Sequence, residues 1–266
     1  MLGRDVVCAA ELAGHEVTAA DKGQVDVIDA QATDRAVRAA GCQAIVNCAA
    51  FTDVDGAEGA PEPAMRVNAG GARNVAAAAA AVEAPVLYVS TDYVFDGTKD
   101  TPYVESDEPS PLGSYGASKL AGEIETAAVN PRHIIVRSSW LFGTGGRNFV
   151  ETMLDLAAHR DEIDVVHDQV GCPTYTAHLA EAVVRLLGSG SYGVHHVAAA
   201  GHCSWYDFAV AIFHRAGVSC TVRPVTTHEI GRPAPRPEYS VLATERDDTV
   251  HLPPWQVGLD AYMDER

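Results

Sequence analysis

Two rhythms of apolar positions divide the chain. Up to about residue 140, short β-branched runs alternate with alanine-rich stretches whose apolar residues recur at helical spacing. The runs predict strands at Glu16–Ala20, Ala44–Ala49, Val86–Ser90 and His133–Ser138. The stretches between them predict helices at Arg4–Leu12, Ala32–Ala40, Pro63–Ala81 and Ser114–Ala128. Gly14 closes the first helix as a C-cap would, and Pro85 bars the long alanine-rich helix from entering the next strand. Alternation of this kind builds βαβ units, and successive right-handed crossovers give a doubly wound parallel sheet. The expected fold class is therefore α/β and Rossmann-like.

After Trp140 the rhythm changes. Helices are predicted at Asn148–His159, Ala177–Leu187 and Trp205–Ala216, separated by short strands at Ile163–Val166, Gly193–Val197 and Thr221–Val225. Pro224 to Pro237, rich in Pro and Arg, reads as an ordered loop. No internal repeat is visible. The expected organisation is a dinucleotide-binding part over residues 1–146 and a smaller substrate-binding lobe over 147–266, packed as one unit with a ligand cleft between them.

The amino end is unusual for such a fold, which normally opens with a strand and a glycine-rich turn. Here the helical pattern begins at once, after Met1-Leu2-Gly3. Gly3 reads as the last glycine of that turn, because a helix and a strand follow and Asp21 closes the strand about where the fingerprint places its acidic residue. A plain N-cap glycine is the other reading. On the first, the sheet lacks a central strand, and poor solubility or weak dinucleotide binding is expected of the chain.

Composition narrows the partners. With 266 residues, 47% hydrophobic and 21% charged, the chain has the make-up of an ordinary globular protein with a sizeable core. No apolar run approaches the roughly 20 residues of a membrane span and no secretory pattern opens the sequence, so a cytoplasmic location is expected. Thirty-six acidic against nineteen basic residues give a formal charge of −17, which makes nucleic acid a poor partner. Lys22, Lys99 and Lys119 are the only lysines. A salt-rich cytoplasm and a high-GC genome account for that balance equally well. The six cysteines form no C-x-x-C pair and read as buried free thiols. The eleven histidines show no ligand cluster, so no metal site is expected from them.

The strongest chemical signal is Tyr115-Gly116-Ala117-Ser118-Lys119 on a predicted helix. Residues four apart share a helical face, so a phenol and an ammonium address one centre, and a nearby ammonium is expected to lower the phenol's pKa toward neutrality. Twenty-four residues earlier, an apolar strand ends in Ser90-Thr91-Asp92-Tyr93. Polar groups at the carboxyl end of a parallel strand face the ligand crevice, which gives Thr91 access to the carbonyl that Tyr115 protonates.

These residues resemble the extended short-chain dehydrogenase/reductases, and within them the dTDP-4-dehydrorhamnose reductases. The likeness is carried by Val46 to Asp55, Asn68-Ala69, Ser90 to Gly97, Pro102 to Glu105, Tyr115 to Glu123, Arg137 to Phe142, Asn148-Phe149, Asp168 to Thr174, and Arg236-Pro237 with Ser240 and Leu242. It implies a catalytic triad of Thr91, Tyr115 and Lys119. It implies dinucleotide contacts from Gly3, Asp26, Ala49, Ala50, Tyr115 and Lys119, and sugar-nucleotide contacts from Thr52, Val54, Asp92 and Trp140. The reaction implied is reduction of a dTDP-4-keto-6-deoxy sugar with NADPH or NADH, in a homodimer, with Mg2+ associated in some relatives. Asp21 would repel a 2′-phosphate and Arg4 attract one, so the nicotinamide coenzyme stays open. In the related 4,6-dehydratases the segment resembles Thr-Asp-Glu; Tyr93 in place of that acid disfavours dehydration. The other expectation is a non-catalytic regulatory subunit of the same fold, like the beta subunit of methionine adenosyltransferase.

Overall fold

The computed structural model describes residues 1–266. It begins with α1 (Leu2–Leu12), ended by Gly14 at a positive φ of 86°. Then come α2 (Ala30–Ala40), β1 (Ile45–Asn47), α3 (Val54–Gly59), α4 (Pro61–Met65), a π-helical turn (Arg66–Gly71) and α5 (Ala72–Ala81). Next are β2 (Val86–Thr91), a single 3₁₀ turn (Asp92–Val94), α6 (Ser114–Val129) and β3 (His133–Ser138). The remainder comprises β4 (Leu141–Phe142), α7 (Phe149–Ala157), β5 (Glu162–Val166), β6 (Val170–Gly171), β7 (Thr174–Tyr175) and α8 (Thr176–Ser189). After these follow β8 (Gly193–His196), β9 (Cys203–Ser204), α9 (Trp205–Ala216), β10 (Thr221–Val225), α10 (Thr227–Ile230) and α11 (Trp255–Glu265).

The main sheet is parallel, in the order β1-β2-β3-β8. One face is covered by α1 and α8, where Leu2, Val6, Leu179, Val183 and Leu186 meet Leu87, Ile134 and Val136. The other carries α5 and α6, whose close approach is set by Gly122: a Cβ there would lie 2.2 Å from the Asn68 carbonyl oxygen and 2.3 Å from the Tyr88 hydroxyl. A second core gathers α7, α9, α11 and the β5–β10 pair around Phe142, Phe208 and Trp255. Thus β8 and α8, late in sequence, extend the first sheet and its helical layer.

Four expectations are corrected. The strand expected at Glu16–Ala20 does not form; the segment is mostly exposed and no neighbour offers it a ladder, and an isolated extended segment keeps its hydrogen bonds with water. The helix expected over Pro63–Ala81 is interrupted by the π-turn at Arg66–Gly71. Within it Asn68 is fully buried, and a Cβ on Gly71 would fall 2.7 Å from Val27 Cγ2. Of the six cysteines only Cys172 and Cys203 are buried, and Cys8 is exposed because α1 turns Leu2 and Val6 inward instead. Pro224 falls within β10, opposite Val165 in a two-stranded edge where its missing N–H costs little, so the Pro/Arg-rich loop starts after it.

Candidate active site

Thr91 ends β2, and its hydroxyl caps the following turn by accepting from Tyr93 N at 3.2 Å. It also donates to Asp92 Oδ1 at 3.1 Å. Asp92 is buried, and its other oxygen accepts from the Ser240 hydroxyl at 2.6 Å. Burial pushes this carboxyl up to about 7 against the pull of the Ser240 and Thr91 hydroxyls. A carboxyl raised by folding favours the protonated form, so its contribution to stability is full below about pH 4 and is lost as pH rises through about 7. Asp92→Asn, which never ionises, is expected to gain stability relative to the native chain between pH 5 and pH 8, read as urea midpoints at the two values. An unchanged difference between native and variant would remove the buried ionisation.

Tyr115 and Lys119 occupy the first turns of α6. The helix enters tightly under the 3₁₀ turn, since a Cβ on Gly116 would sit 2.1 Å from the Tyr93 carbonyl oxygen. The Tyr93 and Tyr115 rings meet edge to face at 5.9 Å. Burial pushes the Tyr115 phenol up to about 12, with the Thr91 hydroxyl opposing and the Asp92 charge adding to the rise. This corrects the expectation that Lys119 draws the phenol toward neutrality. The Lys119 ammonium is itself buried, donates to the Val89 carbonyl at 2.7 Å and lies 4.0 Å from the centre of the Tyr88 ring. Burial lowers it to about 7, while Glu123 and Cys48 pull the other way.

The loop after β1 forms the next wall. Asn47 Oδ1 accepts from Ala49 N at 3.0 Å, and the Asn68 side chain clasps Phe51 on both backbone atoms, at 2.8 and 3.1 Å, while donating to Ser118 Oγ at 2.9 Å. The π-turn thereby ties the Ala49-Ala50 loop to the Tyr115 helix. A polar asparagine within an alanine-rich helical stretch was the signal the sequence offered for this clasp. Gly3, at the start of α1, faces Cys48, with 3.6 Å left to a Cβ. No side chain caps α1, so the N–H groups at its start, on Leu2 and Gly3, have no side-chain partner. Arg4 lies over Gly145. Asp26 Oδ1 accepts from Ile28 N at 3.2 Å, and Asp21 closes its own turn on Gly23 N at 2.8 Å. Both hold local loops together.

A cleft is lined by Val54, Glu58, Tyr93, Tyr115, Gly116 and Pro235. Thr52, exposed, precedes it. Its outer side is closed by a latch: Asp55 on α3 pairs with Arg236 at 2.9 Å and Arg232 at 3.2 Å and accepts from Ala234 N at 3.2 Å. Trp140 does not line this cleft. It follows β3 at a positive φ of 49° and stacks on Trp205, a partner that no sequence pattern announced. Gly171, whose Cβ would lie 2.5 Å from Trp140 Cε2, makes room for the indole. No group of three or more His, Cys, Asp or Glu side chains comes together in the arrangement of an all-protein metal site.

Residues 1–266 match the family of the RmlD substrate binding domain along their whole length. The chain belongs to that family. A dTDP-4-dehydrorhamnose reductase of Mycolicibacterium smegmatis is 43% identical, over 99% of this chain and 81% of its own length. The spore coat polysaccharide biosynthesis protein SpsK of Bacillus subtilis is 40% identical over 100% and 94%. A solved dTDP-4-dehydrorhamnose reductase of Bacillus anthracis in complex with NADP superimposes with a TM-score of 0.97, at 39% identity, covering 100% of this chain and 95% of that one. The parallel sheet with helices on both faces is thus the RmlD family's, and the sequence likeness extends across both halves of the chain.

Proposed function

We propose that the protein reduces the 4-keto group of a nucleoside-diphosphate 6-deoxy sugar, converting dTDP-4-dehydro-L-rhamnose to dTDP-L-rhamnose with NADPH or NADH in the cytoplasm. The observation that carries this reading is Tyr115, which lines the cleft with the Thr91 hydroxyl beside its phenol and Lys119 one helical turn on, in a chain whose relatives bear the reductase name. Residues 1–146 hold the dinucleotide and 147–266 supply the sugar-binding lobe, with β8 and α8 completing the first layer.

The residues present fit a dinucleotide: the uncapped start of α1 at Gly3 for the phosphates, the Ala49-Ala50 loop as a wall against it, Lys119 for the nicotinamide ribose, and Asp26 in the turn beyond. When bound, the reduced nicotinamide supplies a hydride to the sugar C4. Tyr115 supplies the proton. With its phenol near 12, Tyr115 is fully protonated at neutral pH, and the sugar oxygen, once it carries alkoxide character, is more basic than the phenolate left behind. Thr91 polarises the same oxygen once its hydroxyl hydrogen turns to it from Asp92 Oδ1. Lys119 offsets the phenolate charge, which in a buried site is otherwise costly. Asp92, Thr52, Val54 and Trp140 hold the sugar nucleotide.

The test is direct. The purified chain, given dTDP-4-dehydro-L-rhamnose and NADPH, is expected to oxidise the coenzyme with equimolar formation of dTDP-L-rhamnose. Coenzyme binding with no oxidation would favour the regulatory-subunit reading instead.

A further inference from the structure

Trp140 is one of two non-glycine residues with positive φ, the other being Glu83 in the turn after α5. A left-handed tryptophan persists only where its surroundings over-determine it. Its backbone is fixed from both sides, as the Ser139 hydroxyl donates to the Cys172 carbonyl at 2.7 Å and Thr174 N donates to the Trp140 carbonyl at 3.2 Å. Its indole is fixed separately. The ring lies on Trp205 with 3.5 Å between centroids and 4° between planes, and Gly171 leaves the space it needs. Such full overlap runs against the preference of aromatic pairs for offset or edge contacts, so packing from outside the pair holds it.

That packing comes from the second core. Trp205 opens α9 directly after Ser204, whose hydroxyl accepts from Asp207 N at 3.0 Å while Ser204 N donates to Asp207 Oδ2 at 3.1 Å, a reciprocal cap that fixes the first turn. On its other contacts Trp205 meets Phe149 at 4.5 Å and Phe208 at 6.4 Å. Trp140 Nε1, by contrast, makes no hydrogen bond within the chain, and the residue is only partly buried.

We infer that Trp205 is a positioning residue, holding the Trp140 indole in its strained setting so that it meets the nucleotide sugar already oriented. The inference rests on Trp140 being a sugar-nucleotide contact. A ring that must find its orientation on binding loses rotamer freedom at that moment, and the loss appears in ligand affinity rather than in the chemical step. Trp205 thus transmits the rigidity of the α7–α9 core to a binding group borne by the first sheet.

Three variants test it: Trp205→Phe, Trp205→Ala and Trp140→Phe. Trp205→Ala is expected to raise KM for dTDP-4-dehydro-L-rhamnose about three- to tenfold, with kcat and the Kd for NADPH within about twofold of native. Trp205→Phe, which offers the indole a smaller aromatic face, is expected to recover part of the loss but still raise KM about two- to threefold, and it carries the test should the alanine variant fold poorly. The exciton signal of two stacked indoles in circular dichroism is expected to vanish in all three. A native KM in Trp205→Ala and Trp205→Phe, with a raised KM in Trp140→Phe, would overturn the role of Trp205. A native KM in Trp140→Phe would overturn the inference at its premise, the contact made by Trp140, while leaving the reductase activity standing.

Discussion

Replacing Tyr115 by phenylalanine is expected to lower kcat by roughly 10²–10⁴, the usual contribution of a positioned general acid, without loss of coenzyme binding. The change removes one oxygen from a ring that packs edge to face on Tyr93, and the ring itself stays. Nothing in the wall formed by Gly3, Ala49 and Ala50 depends on the phenol. Turnover of dTDP-4-dehydro-L-rhamnose should therefore collapse while the NADPH Kd, followed by nicotinamide fluorescence, holds within about twofold. Since burial keeps the native phenol near 12, no alkaline loss of this proton donor is expected below that range. Near-native kcat in the variant would take Tyr115 out of the reaction.

The second large effect lies behind the site. Arg137 on β3 pairs with Glu123 on α6 through Nε at 2.9 Å and Nη2 at 2.6 Å, both side chains being about 95% buried. Ser90 donates to the same carboxylate, and Arg137 Nη1 stands 3.4 Å from His196 Nε2. Burial, with Arg137 adding its charge, lowers the pKa of His196 against the pull of Glu105, so the imidazole is neutral at pH 7 and Arg137 is the cation hydrogen-bonded to Glu123. Arg137→Met is expected to strand a buried carboxylate and cost about 3–5 kcal/mol. For a chain of this size that is a fall in melting temperature on the order of 10 °C. The double change Glu123→Leu with Arg137→Met is expected to recover most of it, because a buried pair replaced whole by apolar groups is often neutral. A single variant melting within about 2 °C of native would mean that the pair contributes little.

Much of this was legible in the sequence, and the reasons differ by element. The helix at Trp205–Ala216 and the strand at Thr221–Val225 appear with the boundaries read from pattern, since Ser204 and Gly217 mark both ends of the first and β-branched residues make the second. Asn148 was read as the start of a helix and is its N-cap, accepting from Glu151 N. What stayed hidden were elements defined by partners distant in sequence. The two-residue strands β4, β6, β7 and β9 have no periodicity of their own, and α11 has too weak an apolar stripe to stand out after the Pro/Arg-rich loop. The placement of Tyr115 and Lys119 on one helix and of Thr91 at a strand end was legible because the first two are four residues apart in a helical stretch and the third closes an unmistakable strand. The direction of the phenol's pKa was not, because a sequence shows the nearby ammonium but not how deeply both groups are buried or that Lys119 donates to Val89. The stack on Trp205 was invisible for the same reason: 65 residues separate it from Trp140.

The latch between Asp55 and the loop of Arg232 and Arg236 bears on the order in which the molecule becomes competent. These contacts join residues 177 and 181 positions apart, so the cleft wall that includes Pro235 closes only after nearly the entire polypeptide is available. Contacts of such span form late, because the entropy of bringing distant segments together must be met before they return any stabilisation. A nascent chain still on the ribosome can pair β1, β2 and β3 and present Tyr115 and Lys119 on α6, yet it has no outer wall for a nucleotide sugar. The complete cleft is thereby reserved for chains that have finished folding, and in the mature protein its shape depends on the carboxyl-terminal third as directly as on the helix that bears Tyr115.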